Sequence, residues 1–188
     1  MTELSFDPPS ALTPEEVVRF WRAAGPAKWF ARDEAFDQDF RARFLGAHFA
    51  AARGELAAWE GTVDGVLALL ILLDQFPRNA FRGTGHMFAT DGLALAIARR
   101  AIQAGNDRKV DIEMRHFIYL PFEHAEDLAA QTESVSLMSD LDAETLRWAI
   151  IHRDIIVRFG RFPHRNASLG RDSTIEEQRF LAEGGFAG

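Results

Sequence analysis

The chain has 188 residues, of which 47% are hydrophobic and 26% charged, with a formal net charge of −7 and no cysteine. This length and composition are typical of one globular domain, and the lack of cysteine excludes disulfides and thiolate metal sites. The acidic balance argues against nucleic acid or an anionic membrane as a partner.

The N-terminal part of the chain is predicted to be helical from Thr13 onward. The opening residues, MTELSFDPPSALTPEE, lack the basic and apolar segments of a secretory leader, so we expect a soluble cytoplasmic protein. Thr13, Pro14 and Glu16 have the pattern of a capping box with proline in the first turn. Apolar residues then recur at helical spacing from Asp33 to about Arg53, which predicts an amphipathic helix.

The middle of the chain contains its most apolar segment. Residues 62–76 are apolar almost all round, which predicts a helix buried in the centre of the domain. The run VLALLILL at 66–73 is far shorter than the roughly 20 residues needed to span a bilayer. Thr84 is predicted to cap the next helix, which extends to about Ala104 and is stopped by Gly105.

Two further helices are predicted in the third quarter of the chain. The first is ended or kinked by Pro121. The second covers about 125–138 and has Glu126 and Asp127 in its first turn, where the helix dipole favours acidic side chains.

The last part of the chain contains the best-defined helical pattern, from Asp142 as cap to Gly160 as stop signal. Ser173 with Glu176 predicts another capping box and a short terminal helix. No segment alternates with period two and no hairpin signal is present, so we predict one all-α domain over residues 1–188 without a sheet. The inner face of the helix after Asp142 is predicted to carry Trp148, His152, Ile155, Ile156 and Phe159.

Two similar stretches, FPRN at 76–79 and FPHRN at 162–166, each follow an apolar helix. Proline is predicted to stop each helix, and asparagine favours a turn. Helix starts at Thr84 and Ser173 follow, so the pattern resembles one helix–turn–helix unit used twice, about 86 residues apart. A single weak pair of matches does not establish an internal repeat.

Three long segments resemble a known family: LLILLDQFPRNAFRGTGHMFATDGLAL at 69–95, FIYLPFEHAEDLAAQ at 117–131 and HRDIIVRFGRFPHRNASLGRDSTIEEQRFL at 152–181. Together with FW at 20–21 and WFARDEAFD at 29–37, they resemble the bacterial family filed as domain of unknown function 924. The resemblance implies an all-helical array of antiparallel pairs similar to tetratricopeptide-repeat proteins, although the chain contains no tetratricopeptide consensus. Phe122 and Ala125 stand where the family usually has Leu and Ser. The family name itself implies no activity.

Charged and polar residues within these segments are the candidate functional residues. Arginine presents a planar fork that suits carboxylate or phosphate, and histidine transfers protons near neutral pH. Two interpretations stay open: a pocket for a small anionic ligand, or internal salt bridges that satisfy the two helix ends. The candidates are Asp74, Arg78, Asn79, Arg82, Glu123, His124, His152, Arg161, His164, Arg165 and Asn166.

Neither a cofactor nor a metal site is predicted. Glu113 and His116 have the spacing of half a di-iron bundle site, but the chain has no second such motif. His152, on an apolar face, is more typical of a hydrogen-bonded core histidine than of a metal ligand. The HEXXH, GxSxG, Walker A and GxGxxG motifs are all missing.

Three classes of function therefore stay open. The first is a protein that binds a small anionic ligand, as an enzyme or without turnover. The second is a helical scaffold that binds a peptide or a partner protein in a concave groove. The third is a purely structural cluster whose role lies in homo-oligomerisation. The density of arginine, histidine and carboxylate favours the first.

Overall fold

The computed structural model describes residues 12–187, and in this range it contains helices and no strand. The all-α prediction is confirmed, and the tetratricopeptide-like arrangement stays a prediction. The N-terminal residues 1–11, used to predict the lack of a leader, lie outside the described range. The α-helices are α1 (Pro14–Ala24), α2 (Pro26–Trp29), α3 (Glu34–Ala52), α4 (Val63–Leu70), α5 (Phe76–Ala80), α6 (Asp91–Gln103), α7 (Ile112–Glu123), α8 (Leu128–Met138), α9 (Ala143–Phe159) and α10 (Ile175–Ala182).

The core is centred on α4 and on the π turn Ile71–Gln75 that connects it to α5. Leu67, Leu70, Ile71 and Leu72 are fully buried, as the all-round apolar pattern predicts. The helices α1, α3, α6 and α7 pack around this element. In residues 12–187, no helix combines the length and the apolarity that a bilayer crossing requires.

The helices α6, α7, α8 and α9 follow one another along the chain, and each packs against the next. Ile155, Ile156 and Phe162 then form a smaller apolar cluster, against which Phe180 of α10 packs. This arrangement brings the C-terminal end of α7 close to the π turn, to α9 and to the FPHRN stretch.

Several predicted helix boundaries are confirmed. The Asp33 carboxylate accepts a hydrogen bond from the Phe36 amide at 3.0 Å, and the Asp142 carboxylate accepts one from the Thr145 amide at 2.9 Å. Gly160 caps α9 in the left-handed conformation with a φ of 70°, a region that an L side chain rarely adopts.

Two predicted helix starts are wrong. Thr84 begins only a short 3₁₀ turn, because its hydroxyl donates back to the Phe81 carbonyl, and α6 starts later, at Asp91. The terminal capping box is formed by Thr174 and Glu177 instead of Ser173 and Glu176. The side chain of Ser173 is used differently, since it accepts a hydrogen bond from Asn166 at 3.1 Å.

Two assignments near α8 and α9 also need correction. Asp127 caps α8 by accepting from the Ala130 amide at 2.8 Å, so Glu126 lies outside the helix and not in its first turn. Trp148 does not belong to the inner face of α9: it is 37% exposed, and its indole N–H donates to Glu144. Phe159 is only half-buried.

The predicted helix stop at FPRN is wrong. α5 begins at Phe76, directly after the π turn, with Pro77 in its first turn, so the helical path continues to Ala80. Proline has no backbone N–H to donate to the carbonyls of the preceding turn, and two side chains supply donors instead. His48 Nδ1 donates to the Leu72 carbonyl at 2.9 Å, and the Thr90 hydroxyl donates to the Leu73 carbonyl.

The other two proline positions behave differently from this one. Pro121 lies inside α7, which ends two residues later at Glu123. At FPHRN the helix does end before the proline, at Phe159 and Gly160, and a 3₁₀ turn at Pro163–Arg165 follows. The two similar stretches therefore adopt different local structures.

Candidate functional site

The predicted site residues fall into three groups instead of one. Asn79 and Arg82 contact Asp37 of α3, and Arg161 and Asn166 contact Glu177 of α10. The remaining candidates surround the C-terminal end of α7, together with Asp91, which the sequence did not single out. We call this third group the central cluster: Asp74, Arg78, Asp91, Glu123, His124, His152, His164 and Arg165.

Asp74 lies in the π turn at the floor of the central cluster and is fully buried. Its carboxylate accepts hydrogen bonds from His124 Nδ1 at 2.7 Å and from Gln75 Nε2 at 2.6 Å, and Arg78 Nη1 lies 3.3 Å away. Burial alone would raise the pKa of Asp74. The Arg78 charge and the hydrogen bonds from His124 and Gln75 outweigh it and hold the pKa well below its usual range.

Asp91, at the start of α6, connects two arginines. Arg78 donates to both of its carboxylate oxygens at 3.0 Å, and Arg165 Nη1 donates to Oδ2 at 3.1 Å. The bidentate geometry of the Arg78 pair is the one that a guanidinium fork favours. Asp91, which belongs to neither stretch, therefore connects the FPRN and FPHRN stretches.

Arg165 is buried, with 7% of its side chain exposed, yet only part of its guanidinium is paired. Its Nε is buried without a hydrogen-bond partner, and its Nη2 bonds to no residue in the range 12–187. The guanidinium carbon lies 4.5 Å from the ring centroid of Phe88 and 4.4 Å from that of Phe162. Burial lowers the pKa of Arg165 to about 10, which leaves it charged at neutral pH.

Glu123, in the last turn of α7, is the least satisfied carboxyl group of the central cluster. It is 4% exposed; its Oε2 is buried and bonds to no described residue, and Oε1 lies 3.3 Å from His152 Nδ1. Burial and the nearby charge of Asp74 raise the pKa of Glu123 to about 8. At neutral pH this group is mostly a carboxylic acid that can donate a hydrogen bond.

Histidines line the other side of the cluster. His152 Nδ1 bonds to the Trp148 carbonyl at 2.9 Å, which satisfies one ring nitrogen within α9. Burial lowers the pKa of His152 to about 3 and that of His164 to about 4, so both are neutral at pH 7. Near the C-terminus, Phe186 contacts both rings, with centroids 4.5 Å from His152 and 5.2 Å from His164, and covers this side of the cluster.

The two outer groups consist of satisfied ion pairs. Arg161 binds both Glu177 oxygens, at 2.6 and 2.8 Å, and the Asp172 carbonyl. Arg82 binds Asp37 at 2.7 Å, and Asn79 donates to the same carboxylate at 2.6 Å. In these two groups, internal salt bridging accounts for the polar residues.

Sequence reasoning missed several polar residues that hold the cluster in place. The predicted helix starting at Thr84 includes Asp91 and gives this residue no separate role. The sequence predicts Glu126 in the first turn of a helix. In the structure Glu126 instead binds Arg171 bidentately at 2.6 and 2.9 Å and accepts a hydrogen bond from the Phe162 amide at 2.7 Å. No local sequence signal marks either role, because each partner is distant along the chain.

Other features of the surface lie away from this cluster. Grooves of about 470 and 310 Å³ are lined by residues of α1 and α3, and of α6, α7 and α8, and neither includes a central-cluster residue. Glu113 and His116 lie on α7, and across residues 12–187 no three histidine or carboxylate side chains are placed to share a metal ion.

Comparison with known proteins identifies the family. The family signature described as bacterial protein of unknown function (DUF924) matches residues 17–185. Among solved structures, the protein of unknown function ATU0120 from Agrobacterium tumefaciens is 54% identical and has a TM-score of 0.89; the match covers 91% of this chain and 97% of that one. No curated protein matches the chain. The chain thus has the fold of the Agrobacterium protein and belongs to the DUF924 family of bacterial proteins.

Proposed function

We propose that the protein binds a small ligand through a carboxylate or phosphate group seated on the Nε and Nη2 atoms of Arg165. The observation that carries the proposal is the unused edge of this buried guanidinium. Nε is buried and bonds to no residue in the described range, while Nη1 is held by Asp91 at 3.1 Å. An arginine edge with two parallel N–H donors matches the two oxygens of a carboxylate or phosphate.

The surroundings of Arg165 fix its plane in advance of binding. Asp91 holds one end of the guanidinium, and the rings of Phe88 and Phe162 lie within 4.5 Å of its carbon. A side chain already ordered by packing loses little further conformational entropy when a ligand binds. The unpaired Nε donor, which is costly to bury, gains a partner at the same time.

The charges of the central cluster are nearly balanced, so an anionic group meets no net repulsion there. Asp74 and Asp91 offset the charges of Arg78 and Arg165. The raised pKa of Glu123, about 8, keeps a third carboxylate from adding negative charge at neutral pH. His164, next to Arg165 in the chain, has a buried Nδ1 that bonds to no residue in the range 12–187 and is available to a ligand. A ligand anion therefore meets the unpaired N–H groups of Arg165 and little net negative charge.

A panel of carboxylated and phosphorylated metabolites, tested by thermal shift at constant ionic strength, examines this proposal. At a hundred times its dissociation constant, a ligand that binds only the folded state stabilises it by roughly 2.7 kcal/mol. We expect at least one saturable stabiliser, and we expect the gain to disappear in Arg165→Lys, which keeps the charge for Asp91 but lacks the bidentate edge.

The matched control is Arg100→Lys, which alters an exposed bidentate arginine and should leave the ligand response unchanged. Equal responses in wild type and Arg165→Lys, or no response across the panel, would overturn the proposal. That outcome would move the assignment to a helical scaffold that binds a peptide or partner protein.

A further inference from the structure

His124 has a fixed ring orientation and one free nitrogen. The carboxylate of Asp74 can only accept, so the 2.7 Å contact places a proton on His124 Nδ1. Nε2 then carries the lone pair, and it bonds to no side chain or backbone group in residues 12–187. The His124 side chain is 14% exposed, while Asp74 behind it is 1% exposed. This is the arrangement in which a buried carboxylate orients an imidazole as a base.

A proton donor lies on the adjacent residue. Glu123 is buried, and its Oε2 is unpaired within the described chain. The raised pKa of Glu123, about 8, keeps its carboxyl group mostly protonated at neutral pH. Two titratable groups that are pushed in opposite directions at one site are the usual signature of a general base and a general acid.

We propose that His124 and Glu123 are the general base and general acid of a hydrolase site that cleaves an acyl bond in the ligand held by Arg165, with Asp74 as the positioning residue. This inference rests on the proposed function, since Arg165 supplies the anchor for the substrate. The substrate class is a small ester or amide that also carries a carboxylate or phosphate group.

The proposed reaction uses water as its only other reagent. His124 Nε2 takes a proton from water as the water oxygen bonds to the acyl carbon. The bond from that carbon to the leaving oxygen or nitrogen then breaks, and the leaving atom receives the proton of Glu123. The proton on His124 returns to the Glu123 carboxylate through solvent, so one water is consumed and both groups are restored.

The pH dependence of His124 is set by groups from several elements. Burial and the charge of Arg78 lower the pKa of His124, against the attraction of Asp74. The base is therefore unprotonated at neutral pH. Activity on the proposed substrate should fall as the solution becomes acidic, and again above about pH 8 as Glu123 loses its proton. The charged and titratable groups near the ring are Asp74 of the π turn, Arg78 of α5, Asp91 of α6, His116 and Glu123 of α7, His152 of α9 and His164 of the FPHRN stretch.

Hydrolysis of p-nitrophenyl acetate by the full chain tests the inference, because this ester reports on an available base without the need for an anionic anchor. We expect hydrolysis above that of the unfolded chain, and its loss in His124→Gln. Asp74→Asn should reduce the rate by roughly tenfold or more and move the acidic limb of the pH profile to lower pH. The control is His86→Gln, which removes a histidine that contacts His48 instead of the central cluster.

The two proposals can fail separately. If anions stabilise the protein through Arg165 but His124→Gln hydrolyses the ester as fast as wild type, the hydrolase inference is overturned and the binding function stands. If hydrolysis depends on His124 and Asp74 while no anion stabilises the protein, the proposed binding function is overturned and the assignment of His124 as a general base is supported. A change in rate without a shift of the pH profile in Asp74→Asn would show that Asp74 is merely structural.

Discussion

Asp91→Asn is expected to be among the most destabilising polar substitutions in this protein. The Asp91 side chain is 14% exposed and accepts three hydrogen bonds, two from Arg78 at 3.0 Å and one from Arg165 at 3.1 Å. Asparagine has the same shape, but it offers one acceptor oxygen and turns an amide N–H₂ towards a guanidinium. Arg78 keeps Asp74 as a partner, whereas Arg165 loses the carboxylate that it binds.

The size of the effect follows from the burial of these groups. Removing one partner of a buried ion pair costs about 3–5 kcal/mol, since the other charge stays buried without compensation. We expect about 3 kcal/mol, the lower end of that range, because Arg78 remains paired with Asp74. The loss of an acid from the first turn of α6 adds less than about 1 kcal/mol. For a chain of this size, the melting temperature should fall by roughly 6–12 °C.

Urea unfolding of wild type, Asp91→Asn and Glu60→Gln measures the difference. Glu60 also binds an arginine bidentately, Arg100 at 2.8 and 2.9 Å, but the Arg100 side chain is 52% exposed. Glu60→Gln should therefore cost no more than about 1 kcal/mol. If Asp91→Asn were no more destabilising than Glu60→Gln, the bridge through Asp91 would not hold the two arginines as described.

Three further predictions concern stability. The pKa of Glu123 is about 8 in the folded protein against 4.5 in a free side chain. Between pH 4.5 and 8 the folded state therefore binds a proton that the unfolded state has lost, and the free energy of unfolding decreases as the pH rises across this range. Glu123→Gln should match wild type near pH 4.5 and exceed it in thermal melts at pH 8.5; parallel melting curves would contradict this. The pKa values of His152 and His164, about 3 and 4, lie below the usual 6.5, so wild type should lose stability as the pH falls from 6.5 towards 4, and His164→Gln should flatten that slope in urea titrations. Thr90→Val removes the hydroxyl that donates to the Leu73 carbonyl and should cost about 1–3 kcal/mol in urea unfolding, because Pro77 cannot supply a replacement donor; an unchanged midpoint would show that the π turn does not need it.

The helices could be predicted because their signals are local. The apolar run that forms α4 and the caps at Asp33 and Asp142 each depend on residues within one or two turns of one another. Whether a helix ends at a proline could not be predicted from local residues in the same way. Pro77 is compatible with a helix only because His48 and Thr90 satisfy the carbonyls before it, and these residues lie on other elements.

The candidate site could be predicted only in part, for a related reason. Asp74, Arg78, Glu123, His124 and Arg165 were identified from residue chemistry, and the structure brings them together. Arg161 and Arg82 have the same chemistry, but they are paired with Glu177 and Asp37 elsewhere. The sequence alone does not distinguish these arginines, because the role of each depends on which carboxylate, distant along the chain, lies next to it in the folded protein.

The nuclear magnetic resonance signal of the Arg165 Nε–H group tests the central claim most directly. The signal can be assigned by its absence in Arg165→Lys and followed during titration with inorganic phosphate and with small dicarboxylates at constant ionic strength. We predict a saturable shift of this signal, larger than that of the exposed Arg100, because an oxygen of the anion accepts a hydrogen bond from a donor that has no partner among residues 12–187. A signal that stays fixed throughout, or that shifts no more than the signal of Arg100, would contradict the assignment of Arg165 as the anion-binding residue.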